Sequence, residues 1–193
     1  MAVYTKIGLD EINLIEKNFS IGKILNYSGI KKGIENTNYL IKSKKRKFIL
    51  TIFEKRVNSR DLPFFMKLMS GLSKSKIKCP KPVETKKGKY LFKLKGKNAC
   101  LVTFLEGKDK NNLNSKECFV IGKNIARLHN SSKKLRIFRK NSLSVNSWGP
   151  LLKKISRTIN KKFKDLTDNM KIDYTQIKKL WPKKLPIGII HCD

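Results

Sequence analysis

The chain has 193 residues, 39% of them hydrophobic, with 45 Lys+Arg against 14 Asp+Glu and a formal net charge of +31. Apolar residues recur along its whole length, which supports a folded core in one large or two small domains and excludes a disordered chain. The four cysteines form no C-x-x-C pair and there are two histidines, which argues against a zinc framework and for reduced thiols.

Leu9 to Phe19 places apolar residues at mixed helical spacing, with Asp10 and Glu11 in the first turn, and predicts a short amphipathic helix. Gly22 to Tyr27 reads as a strand, Gly29 to Gly33 as a two-glycine turn and Asn38 to Lys42 as a second strand. Lys44 to Lys47 reads as a charged hairpin tip and Phe48 to Phe53 as an apolar third strand. After Asp61, the stripe Leu62, Phe65, Met66, Met69 and Leu72 predicts a helix with Pro63 in its first turn. Cys79 to Pro82 stops it. Tyr90 to Leu94 and Ala99 to Leu105 are predicted strands, joined by a turn from Lys95 to Asn98.

The second half reads as helical. Ser115 is the expected N-cap of a helix carrying Val120, Ile121, Ile125 and Leu128. Further helices are expected over 150–163 and 174–181, and an apolar strand over Ile187–Ile190 leads into His191-Cys192-Asp193. The domain boundary is placed between Glu106 and Gly107, giving a strand-rich lobe over 1–106 and a helical lobe over 107–193. The fold class is α+β, with the two-lobed layout of a kinase and nucleotide between the lobes.

Three segments carry chemistry. The turn with Gly29, Gly33, Asn36 and Asn38 lets backbone N–H groups approach phosphates, although ordinary hairpins use the same residues. The strand end Thr103-Phe104-Leu105 offers backbone groups to adenine, against the plainer reading of a buried strand entering a turn. His191 and Asp193 follow an apolar strand, where a carboxylate accepts a hydroxyl proton and holds the oxygen in line, with the His as a structural prop. His129 at a helix end reads as a packing or capping residue.

In order along the chain, Gly29-Ile30-Lys31-Lys32-Gly33-Ile34-Glu35-Asn36-Thr37-Asn38-Tyr39, Phe48 to Val57, Asp61-Leu62-Pro63-Phe64-Phe65, Val102 to Gly107 and Trp181 to Gly188 resemble homoserine kinases of the aminoglycoside-phosphotransferase fold. His191-x-Asp193 opens that family's H-x-D motif. The resemblance implies ATP-dependent phosphorylation of the L-homoserine hydroxyl, with Mg2+ accompanying ATP. Asp193 would be the catalytic base, Gly29, Gly33, Asn36 and Asn38 would lie near the phosphates, and Thr103, Phe104 and Leu105 would face adenine. Thr51 is counted among the ATP-binding residues, but it stands where related kinases place a lysine, so the phosphate anchor is unassigned; Lys55 and Arg56 are candidates. No Mg2+ ligand is assigned within the chain. The motif breaks off at Asp193, which reads as a truncated, inactive fragment.

Two other functions compete. One is a kinase of the same fold acting on another small alcohol, such as an aminoglycoside, choline or a sugar derivative. The other is a basic nucleic-acid-binding module. The basic residues are scattered rather than interleaved with aromatics, so only non-specific attraction to nucleic acid is expected. No apolar run nears the ~20 residues of a membrane span, and the first ten residues lack an apolar signal-peptide core. A soluble, cytoplasmic protein is expected.

Overall fold

The computed structural model describes residues 3–55, 57–159 and 163–190. Two compact units result, Phe138–Ile187 and the remainder of the chain. The larger unit holds a five-stranded antiparallel sheet in the order β1-β2-β3-β5-β4. Its strands are β1 (Ile24–Gly29), β2 (Thr37–Ser43), β3 (Lys47–Ile52), β4 (Leu91–Leu94) and β5 (Lys97–Thr103). Helices α1 (Leu9–Asn18), α2 (Leu62–Lys74) and α3 (Ser115–Lys133) belong to the same unit.

Alternation sorts the sheet residues onto two faces. On one face Tyr39, Ile41, Phe48, Leu50, Ile52, Ala99 and Leu101 form a buried core with Ile12, Ile15 and Phe19 of the α1 segment. Phe19 meets Phe92 edge to face, with ring centroids 5.1 Å apart. On the other face Cys100 and Val102 pack on Met66 of α2, with Ile49, Phe65, Met69 and Tyr90 around them. Each large side chain buried this completely contributes about 1.5–3 kcal/mol. Among the described residues Cys79, Cys100 and Cys118 are free thiols; burial pushes the Cys100 thiol up to about 12.

The helix α1 begins with Glu11 accepting the Gly8 amide at 2.7 Å. That bond, ahead of the Lys95 charge, outweighs burial and holds the Glu11 carboxyl below its ordinary value. At α3 the cap is Asn114 rather than Ser115: Asn114 Oδ1 accepts the Glu117 amide at 3.0 Å, and Glu117 accepts the Asn114 amide at 2.9 Å. An Asn with Glu three residues on satisfies two helix-end donors, which a serine one place later leaves open.

The smaller unit pairs α4 (Val145–Thr158) with α5 (Lys164–Leu180). Gly149 lets Tyr174 approach: a Cβ there would sit 2.9 Å from its hydroxyl. Trp148 and Trp181 meet edge to face at 5.7 Å. Helix α4 starts at Val145, five residues earlier than its proline suggests, so Pro150 lies inside it. Helix α5 starts ten residues earlier than expected; Leu166, Met170, Tyr174 and Ile177 mark its stripe. The expected strand over Ile187–Ile190 is absent: the segment has no regular secondary structure and joins no sheet among the described residues. A strand needs a neighbouring ladder to take its backbone groups, and none is offered here.

Candidate nucleotide site

The register of the central strands builds a patterned surface on the α2 face. Leu40 pairs with Ile49 and Ile49 with Val102, which makes an apolar row. Two residues along, about 7 Å at strand rise, Asn38 pairs with Thr51 and Thr51 with Cys100. The polar row lies toward the loop that joins β1 and β2, and the apolar row toward the end of β5.

In that loop the two glycines differ. Gly33 has φ +117°, a conformation that favours glycine, and open space where a side chain would stand. Gly29 pairs with Tyr39 on the core face, and a Cβ there would come 2.9 Å from Val3 Cγ2. The absent side chain at Gly29 thus serves close packing. Both asparagines are oriented through their carbonyl oxygens. Asn36 Oδ1 accepts the Glu54 amide at 3.3 Å, and Asn38 Oδ1 accepts the Thr51 hydroxyl at 2.8 Å. Each carboxamide keeps its NH2 group for another acceptor.

At the end of β5, the Thr103 amide donates to Lys81 O at 2.9 Å and the Phe104 amide to Lys47 O at 3.3 Å. Thr103 Oγ1 accepts the Lys81 amide at 2.9 Å. Leu105 has no backbone partner among the described residues, and its side chain is half exposed. Lys47 bridges this segment to β3, with its ammonium 2.7 Å from Glu106 and 5.3 Å from the Phe104 ring centroid. An exposed ion pair, Lys32 with Asp109, links the glycine loop to the segment after β5; the bond from Lys32 holds the Asp109 carboxyl below its ordinary value.

Sequence reasoning missed Glu54, which sits where β3 ends. Its carboxylate accepts the Thr5 hydroxyl at 2.6 Å, the Thr37 hydroxyl at 2.8 Å and the Lys97 ammonium. Burial pushes this carboxyl up, but the bonds from Lys97, Thr5 and Thr37 outweigh it and leave it below the ordinary range. An acid directly after an apolar strand was the available signal; its partners are remote in sequence. Lys55 is exposed in the turn beyond, while Arg56, His191 and Asp193 lie outside the described residues. His129 is half-buried, and its Nε2 has no hydrogen-bond partner among the described residues.

The fold is that of a phosphotransferase, and the chain belongs to the phosphotransferase enzyme family, whose model matches residues 26–193. Among curated proteins it is 39% identical to a homoserine kinase of Nitrobacter hamburgensis and 38% identical to one of Agrobacterium fabrum, each over 193 residues. The alignments cover 100% of this chain and 59% and 60% of those relatives. The chain therefore spans about three-fifths of the length of the relatives it matches. A spectinomycin phosphotransferase solved with ADP and spectinomycin shares the fold, with TM-score 0.66, 18% identity, and coverage of 95% of this chain and 60% of that one. The family and the α+β, kinase-like fold expected from the motifs are thus borne out.

Proposed function

We propose that this chain carries the nucleotide-binding part of an ATP-dependent kinase that phosphorylates the side-chain hydroxyl of L-homoserine, a step toward threonine. The carrying observation is the pair of adjoining rows on one sheet face, Leu40-Ile49-Val102 beside Asn38-Thr51, with the Gly33 turn beyond them. Adenine would lie on the apolar row and meet the free backbone of Leu105. The phosphates would meet the NH2 groups of Asn36 and Asn38 and the amides near Gly33. Thr51 acts through Asn38, and Lys55 is kept as a candidate phosphate anchor. Asp193 would take the hydroxyl proton and hold the oxygen in line, with His191 propping its loop. The lobe boundary stays at Glu106–Gly107 in this reading.

ATP would bring Mg2+ on its phosphates. Among the described residues no three His, Cys, Asp or Glu side chains cluster as a metal cage, so no step is assigned to the metal here. No described helix is long and apolar enough to cross a membrane. The substrate assignment leans on the homoserine kinase relatives, which align along this chain's full length. Its test gives the protein from its complete reading frame ATP and, separately, homoserine, serine, choline and spectinomycin, with product read by mass spectrometry. Phosphohomoserine is expected as the main product. Preference for another acceptor overturns the substrate, and transfer to none overturns the kinase reading.

A further inference from the structure

We propose that the segment Val3–Ile7 braces the loop between β1 and β2, and that Tyr4 is a positioning residue for nucleotide. The second half of this proposal rests on the nucleotide reading above. The segment holds the loop at its start, its tip and its exit. At the start, Val3 packs against Gly29 where any Cβ would collide at 2.9 Å. At the tip, the Tyr4 hydroxyl donates to Ile34 O at 2.7 Å. At the exit, the Tyr4 and Thr5 amides both donate to Thr37 Oγ1, at 3.0 and 3.1 Å.

The exit is anchored in turn. Thr37 is fully buried and its hydroxyl donates a hydrogen bond to Glu54, which also accepts from Thr5 and Lys97. Tyr39 adds a hydroxyl bond to Thr5 O at 3.0 Å. The tip lacks such support. Ile34 is 76% exposed and Tyr4 54% exposed, so burial does not fix either one. The loop's exposed Lys32–Asp109 pair is a weak tie in water. The Tyr4–Ile34 bond is therefore the specific hold on a turn that glycine would otherwise leave loose. A loop ordered before nucleotide arrives loses less conformational freedom on binding, which tightens affinity without adding a contact.

Tyr4→Phe removes one exposed hydroxyl and leaves the core untouched, so its melting temperature should match the parent. The 15N order parameters of residues 32–36 are expected to fall in the variant. ADP affinity by calorimetry is expected to weaken about three- to tenfold, the range of one neutral hydrogen bond. Unchanged order parameters overturn the brace, whether or not nucleotide binds. Lowered order parameters with unchanged ADP affinity keep the brace and overturn the positioning role. A parent chain that binds no ADP overturns the positioning role together with the nucleotide reading, while the order parameters still judge the brace.

Discussion

The strand-rich stretch up to Thr103 and the helices from Ser115 onward treat apolar residues in opposite ways. In the first, the sheet finds cover on both faces from its own neighbours: α1 on one, α2 on the other. In the second, Val145 is the one buried apolar residue among those described, while Phe119, Leu166, Ile172 and Leu180 stand exposed. Both stretches show the periodicity of their elements. Periodicity establishes that a segment is a helix or strand; burial further requires cover over the apolar face, which the sheet has on both sides and the described helices have only in part.

The largest effect should come from truncating the double-covered sheet. Leu50→Ala is expected to cost about 2–5 kcal/mol by urea unfolding, whereas Leu180→Ala, at a site 79% exposed, should stay within about 0.5 kcal/mol. Similar losses at both sites would break the contrast.

The contact between α2 and Leu135, just past the end of α3, gives a sharper probe. A Cβ at Gly71 would lie 2.5 and 2.8 Å from the two methyls of Leu135. Gly71→Ala should therefore cost about 1–2 kcal/mol. Placed on Leu135→Ala, the same change should turn favourable by up to about 1 kcal/mol, because alanine suits a helix interior. A persistent cost in that background would show that this contact is not what Gly71 serves.

The smallest effect is a pH dependence. The folded-state pKa of Glu54 is lowered, so its contribution to stability is complete above the unfolded carboxyl value and is lost as pH falls through the folded one. Glu54→Gln should be less stable than the parent at pH 7, and the gap should close in the acid range below about pH 4. A gap that stays constant down to pH 3 would mean that the carboxylate charge is idle.

The order of strands and helices was readable because each carries its own period and punctuation. The candidate site was readable at Gly33, Asn36 and Asn38, whose types suit a phosphate loop before any partner is known. Gly29 looked equivalent, yet its reason is Val3, a contact invisible without the fold. Glu54 was hidden because Thr5 and Lys97 lie 49 and 43 residues away. The Ile187–Ile190 strand failed for the converse reason: a local pattern promised pairing that no described neighbour supplies.

The sheet's borders have a consequence of their own. One outer strand, β1, is interrupted by a register shift between Ile24 and Asn26, and the other, β4, is only four residues long. Neither offers a long, straight row of open amides and carbonyls to a second molecule, a known deterrent to fibril-like stacking. Crowding this protein in solution should then bring molecules together through their helices, by contacts that dilution or mild detergent reverses.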